Sequence, residues 1–141
     1  ANTLKIHDDG ALWLHTGDLG YMDQDGFVYF KQRLKRVIMS SGYCVYPQYI
    51  ENVLDSHPAV LMSCVIGIQH EYKMEVPKAF IVLKDDVQVD KDLKKSIRKH
   101  CEANIAKYSW PAVYEFRKEL PKTLVGKIAY TKLEEEEQNA K

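Results

Sequence analysis

The chain has 141 residues, and its 20 Lys plus Arg are matched by 20 Asp plus Glu, so the formal net charge is zero. That length argues for one domain or slightly more, and the charge balance argues against a nucleic-acid binder, whose phosphate contacts demand a basic excess. Apolar residues make up 45% and charged residues 28%, an ordinary composition for a soluble domain, and no apolar run approaches the roughly 20 residues that span a bilayer. Lys5, His7, Asp8 and Asp9 within the first ten residues argue against a signal peptide. Cys44, Cys64 and Cys101 are odd in number and share no close spacing. That fits a reducing compartment and speaks against a disulfide scaffold or a cysteine zinc site. The five histidines show no metal-ligand spacing either, so no metal ligand is assigned.

Leu12-Trp13-Leu14 is a short apolar run ending at Thr16-Gly17-Asp18. Asp23-Gln24-Asp25-Gly26 is a turn signal, because glycine takes positive φ and Asp caps its own backbone. Phe27 to Phe30 reads as a strand from its aromatic and β-branched content. Residues 31–36 form a basic patch without turn residues, followed by a short strand at Val37-Ile38-Met39 and a tight loop from Ser40 to Tyr43. Pro47 suits the first turn of a helix; Ile50, Val53 and Leu54 recur at helical spacing until His57-Pro58 ends the run. Val60 to Ile68 reads as a buried strand, and Ala79 to Leu83 as another, closed by Asp85-Asp86. Asp90 or Asp92 caps the next helix, whose core face is Leu93, Ile97, Cys101 and Ile105.

Trp110-Pro111 breaks the chain before a short strand at Val113 to Phe116. Residues 120–127 form a loop, and a helix then runs to about Glu137, with Glu134 to Glu137 expected as a solvated, frayed end. His57 reads as a helix-end residue, Cys64 and Cys101 as core, and the nine scattered tyrosines as no base-stacking platform. Residues 36–141 thus give the order β-α-β-β-α-β-α. The expected fold class is α+β: a small domain whose central three-stranded sheet is flanked by helices. Residues 1–31 are all hairpin and read as the trailing edge of something larger.

Three segments go beyond what a plain fold requires. In Thr16-Gly17-Asp18 an Asp on a tight turn can aim both carboxylate oxygens at a ribose diol, although turn chemistry alone also accounts for Gly and Asp. In Arg33-Leu34-Lys35 the arginine can hold a ribose or phosphate; a solvated basic edge strand is the plainer reading. In Leu120-Pro121-Lys122-Thr123 to Gly126-Lys127, glycine lets the backbone approach a ligand while the following ammonium reaches forward; the plainer reading is a surface loop with two solvated lysines. It is not a Walker loop, which needs glycine at the place of Pro121 and Ser or Thr at the place of Ile128.

Together and in this order the segments carry more. Trp13, Thr16-Gly17-Asp18, Asp23, Asp25-Gly26, Arg33-Leu34-Lys35, Ser41-Gly42, Val45-Tyr46-Pro47, Ile50-Glu51, His57-Pro58, Leu120-Pro121-Lys122 and Gly126-Lys127-Ile128 form one string. It resembles the C-terminal end of the adenylate-forming enzymes, the superfamily of acyl-CoA synthetases, firefly luciferase and peptide-synthetase adenylation domains. The resemblance runs from about residue 10 to 135, and Ser41-Gly42-Tyr43 and Val113 to Lys127 look most like bacterial long-chain fatty-acid–CoA ligases.

The resemblance implies a lid domain at residues 35–141, preceded by a trailing hairpin segment of a large N-terminal domain at 1–34. It implies ATP, Mg2+ and coenzyme A as cofactors or substrates, together with a carboxylic acid. Asp18 and Arg33 match the residues that hold the ribose of ATP and AMP, Lys35 the hinge, Ser41 and Gly42 the loop lining the pantetheine tunnel, and Lys127 the adenylation lysine. A lysine hinge is common among acyl-CoA ligases, which favours thioester formation. Three positions depart from the pattern. Tyr49 replaces a usual Glu, Met74-Glu75 a usual Gly-Glu, and Ala129 and Tyr130 stand where an Arg is common. No phosphate-gripping Ser/Thr/Gly-rich loop and no acyl tunnel segment are present, so the partner implied is the missing N-terminal domain of the same chain, and the 141 residues alone are expected to be inactive. The implied location is cytoplasmic, with peripheral membrane association open. An acyl-AMP ligase, a carrier-loading adenylation domain and a non-enzymatic α+β interaction module remain as alternatives.

Overall fold

A computed structural model describes residues 3–140, the side chain of Gln32 excepted. The chain divides into two compact units, one ending at Arg36 and one beginning at Val37.

The first unit consists of two antiparallel hairpins. Strand β1 (Leu4–Ile6) pairs with β2 (Leu12–Leu14), and β3 (Asp18–Met22) pairs with β4 (Val28–Arg33), followed by a 3-10 turn at Leu34–Arg36. Aspartates close both turns. The Asp9 carboxylate accepts from the Ala11 N–H and from the Trp13 indole, and Asp23 Oδ1 accepts from the N–H groups of Asp25 and Phe27. Tyr21 and Tyr29 are register partners and stack with ring centroids 4.9 Å apart. Trp13, Met22, Phe27 and Phe30 are each more than half exposed, so these hairpins bury little apolar surface of their own.

The second unit is built on one five-stranded sheet with helices on both faces. Its elements are β5 (Ile38–Ser40), β6 (Tyr43–Val45), α1 (Pro47–Asp55), β7 (Val60–His70), β8 (Met74–Leu83), α2 (Lys91–Asn104), β9 (Val113–Arg117) and α3 (Tyr130–Asn139). Strand β8 is the spine. Its one edge pairs antiparallel with β7 from Leu83 to Met74, and its other edge is divided between β5, at Ser40↔Met74, and the parallel β9, from Lys78 to Val82. The four strands expected after residue 36 are β5, β7, β8 and β9, of which three are expected in one sheet; β5 also joins it, and β6, which carries no strand signal in sequence, brings it to five.

Strand β8 begins five residues before the expected Ala79 and passes through Pro77. Proline interrupts a ladder by its missing donor, but here the loss falls in the gap between the β5 and β9 pairings. The N and C=O of an extended residue point the same way, and the Pro77 carbonyl faces Ala112, whose N–H it accepts at 2.8 Å just before β9.

Alternation along β7 and β8 makes two cores. Val65, Ala79 and Ile81 join Ile50 and Leu54 of α1 and Ile97 and Cys101 of α2 on one face. Cys64, Ile66, Phe80 and Val82 join Leu120, in the segment after β9, and Leu133 of α3 on the other. The α2 cap is Asp90, whose carboxylate accepts from the Leu93 N–H at 2.7 Å. Helices α1 and α2 are cross-linked by polar contacts as well. The Tyr49 hydroxyl donates to the Asn104 carbonyl at 3.3 Å, which gives the residue standing in place of the usual Glu a structural task. His57, at the end of α1, contacts Ser96 through Nε2 at 3.2 Å, accepts from the Ala59 N–H on Nδ1, and lies 5.3 Å from the His100 ring. Burial, and then the neighbouring His100, push its imidazole below the ordinary value.

The acidic end of α3 is held, not frayed. Lys78, buried on β8, pairs with Glu115 at 2.7 Å and with Glu137, while Arg117 pairs with Glu115 and Glu136 at 2.6 Å each. The run Glu134 to Glu137 looks solvated in sequence because the partners of Glu136 and Glu137 lie on β9 and β8, far away along the chain. Burial works against the charge on Lys78 and Glu115 alike. Their mutual hydrogen bonds outweigh it, leaving the ammonium above its usual value and the carboxyl below its own.

Candidate active site

Asp18 and Arg33 are 15 residues apart in sequence yet sit in register at the open end of the β3–β4 hairpin. Arg33 Nε donates to Asp18 Oδ1 at 2.9 Å, and its Nη1 donates to the Thr16 carbonyl at 3.1 Å. The Thr16 hydroxyl accepts from the Asp18 N–H, and the Leu34 N–H closes onto the Gly17 carbonyl. The Thr16-Gly17-Asp18 turn is thereby tied to the end of β4. Both side chains are solvent-accessible, so the pair adds little stability. What it supplies is a carboxylate held in one orientation, able to accept from two adjacent hydroxyls, with a guanidinium alongside. Lys35 lies in the 3-10 turn that follows, exposed and without an ion pair among the described residues.

Ser41 and Gly42 are the two-residue loop joining β5 to β6. Their φ values are 50° and 84°, the pair of left-handed conformations that a type I′ hairpin turn requires. Gly42 takes this freely, whereas Ser41 is strained. A second strained residue touches the same loop: Met74, at φ 66°, follows Lys73, whose carbonyl accepts from the Ser41 N–H at 2.9 Å. Met74 stands where the resemblance expects glycine. Beside the loop is a cavity of about 540 Å³ whose lining includes Ser41, Tyr43, Lys73, Arg98, Lys107 and Tyr108. Tyr43 and Tyr108 stack at 4.8 Å on its wall. The site thus joins a turn, an aromatic wall and three basic side chains, of which Arg98 is paired with Glu102 at 2.7 Å and Lys73 and Lys107 are left to face an anionic ligand.

Lys127 is exposed on a closed hairpin between β9 and α3. The Thr123 N–H donates to the Lys127 carbonyl at 2.7 Å, the Gly126 N–H donates to the Thr123 carbonyl at 2.9 Å, and the Thr123 hydroxyl accepts from the Lys127 N–H at 3.1 Å. Lys122 and Ile128 bridge, and the Ala129 N–H returns to Pro121. Gly126, at φ 82°, supplies the left-handed corner. The ammonium therefore stands on a braced turn and makes no ion pair among the described residues. No hydrogen bond or ion pair joins this hairpin to the Ser41–Gly42 loop among the described residues.

The structure brings Asp18 to Arg33 and builds a cavity at Ser41, but it keeps Ser41–Gly42 and Lys127 on separate hairpins. Sequence reasoning missed Lys73, Arg98 and Lys107, which come from three separate places in the chain and share no local pattern. Thr123, which braces Lys127, had a signal in its position four residues earlier, the spacing of a closed turn.

Comparison with known proteins places the chain in a family. The pattern of the AMP-binding enzyme C-terminal domain matches residues 49–127, and the chain belongs to that family. It is 44% identical over 135 residues to a long-chain-fatty-acid–CoA ligase of Bacillus subtilis, covering 96% of this chain and 23% of that protein. The anthranilate CoA ligase AuaEII, solved with anthranoyl-AMP, superposes with a TM-score of 0.82 at 38% identity, over 91% of this chain and 25% of the other. The o-succinylbenzoate CoA synthetase of Bacillus subtilis, solved with its acyl-adenylate, gives 0.76 at 35%, again over 91% and 25%. The chain therefore spans about a quarter of the length of these relatives, and its α+β fold is that of the C-terminal domain of adenylate-forming enzymes.

Proposed function

We propose that this chain is the mobile lid of an ATP-dependent acid–CoA ligase that converts a fatty acid, ATP and CoA into acyl-CoA, AMP and diphosphate through an acyl-adenylate. In this reading residues 1–34 are the trailing hairpins of a large N-terminal domain, residues 35–141 are the lid, and Lys35 is the hinge that absorbs the backbone change between the two half-reactions. The fatty-acid class is taken from the likeness to the Bacillus subtilis ligase.

The observation that carries the reading is the braced Lys127 hairpin. A carboxylate attacking the α-phosphate brings two anions together, at a cost of about 4 kcal/mol at ~4 Å and an effective dielectric near 20. A preplaced, unpaired cation offsets that cost without reorganisation. Lys127 meets the description: it is exposed, without an ion pair among the described residues, and held by Thr123. Asp18 and Arg33 would hold the nucleotide ribose. The Ser41–Gly42 loop and its basic, aromatic cavity would take the CoA arm for the second half-reaction. The described residues contain no cluster of three or more His, Cys, Asp or Glu side chains able to hold a metal. In this reading Mg2+ would accompany the nucleotide phosphates. A cytoplasmic location belongs to the same reading; no helix among the described residues is long and apolar enough to cross a membrane.

The test separates the half-reactions. In the intact ligase, Lys127→Ala is expected to lower ATP–pyrophosphate exchange by about 10²-fold or more. Thioester formation from supplied acyl-adenylate is expected to be largely spared. Equal loss in both half-reactions, or exchange by the 141-residue chain alone, would overturn the assignment.

A further inference from the structure

The hairpin that delivers Lys127 ends in two apolar side chains with no role inside the lid. Leu124 is fully exposed and Val125 is 80% exposed. They are the central residues of the turn closed by Thr123 and Gly126, flanked by Lys122 on one side and Lys127 on the other. Neither joins either core. Two adjacent aliphatic residues held out in water gain nothing for the fold, so their gain lies in a state where they are covered.

The bracing of the hairpin identifies the cover. The bonds between Thr123, Gly126 and Lys127, and the bridge from Lys122 to Ile128, make tip and ammonium one rigid piece. A lysine two residues behind Val125 cannot reach a phosphate in the cleft of another domain unless the tip enters as well. Polar walls there would be left unsatisfied against aliphatic carbon, so the recess must be apolar. We propose that Leu124 and Val125 form a foot that seats in a hydrophobic recess of the large domain, next to the nucleotide phosphates, and that this seating sets the closure in which Lys127 acts. The inference rests on the lid reading above and adds the partner surface to it.

The test uses the intact ligase carrying Leu124→Ser with Val125→Ser. Both positions are exposed, so the lid is expected to keep its thermal midpoint. ATP–pyrophosphate exchange is expected to fall about 10- to 100-fold, the scale for losing the burial of one aliphatic side chain, or of two that are each half covered. Thioester formation from supplied acyl-adenylate should stay within about twofold. Leu124→Met with Val125→Ile should restore exchange, and Val89→Ser, an exposed apolar residue elsewhere, should leave it unchanged. Normal exchange in the double serine variant, or equal loss in both half-reactions, overturns the foot. So does tip-dependent sedimentation of the ligase with anionic phospholipid vesicles while exchange is indifferent to the tip, which would assign the tip to lipid. A normal exchange rate in Lys127→Ala would instead remove the reading beneath it, and the two failures are told apart by that variant.

Discussion

Removing the Lys78 amine tests whether the ion cluster holds α3 to the sheet. Lys78 is 8% exposed and is the partner of both Glu115 and Glu137; its ammonium also lies 4.9 Å from the Phe80 ring centroid. In Lys78→Ala, Glu115 keeps Arg117 at 2.6 Å, but Glu137 loses its pairing. Breaking a fully buried pair costs roughly 3–5 kcal/mol. The side chains of Glu115 and Glu137 are 34% and 25% exposed, so solvent relieves part of that. The expected loss is about 2 kcal/mol, or roughly 8 °C in thermal midpoint for a domain of this size. Urea unfolding of the 141-residue chain followed by circular dichroism measures it.

The pH dependence supplies a second check. Glu115 is depressed from 4.5, so its share is present above that value and lost as pH falls through the lower folded value. Lys78 is raised from 10.5, so its share is present below that value and lost as pH rises through the higher folded one. The gap between wild type and variant should be widest between these limits. A loss under about 0.5 kcal/mol, or a gap that does not shrink in acid, would refute the latch.

Two further outcomes concern stability. Met74→Gly is expected to stabilise the chain by about 1 kcal/mol, because a left-handed φ is costly for methionine and free for glycine, and Met74 is mostly exposed; a lower urea midpoint would contradict this. His57 is depressed below 6.5, so the unfolded chain binds more protons just under that value. Stability should therefore fall as pH drops from 6.5 through the folded value. His57→Gln should flatten that slope in pH-dependent unfolding, and an unchanged slope would assign it elsewhere.

Helices α1 and α2 and strand β7 were legible because each carries its own periodicity and boundary residue, such as Pro47 or Asp90. Strand β5 and the tight loop after it were legible, but β6 was hidden because a three-residue strand has no period to read, and the type of the turn is recognised by φ values at Ser41 and Gly42, not by residue type alone. The early start of β8 was masked by Pro77, a breaker whose cost vanishes only in the gap between two partner strands. The fixed end of α3 was invisible because Lys78 and Arg117 lie far back in the chain. At the site, the candidate residues could be named one by one from the resemblance. Their local geometry could not: the register that joins Asp18 to Arg33 runs through a bulge between Leu19 and Gly20. The cations at the Ser41 cavity come from three distant places.

The division of the β8 edge at Pro77 makes two parts of the second unit independent of one another. The Ser41 turn hangs on one stretch of that edge, while β9 and the clamp on α3 hang on the other. A change on the first stretch can therefore reshape the Ser41 cavity without moving β9 or the ion cluster that holds α3.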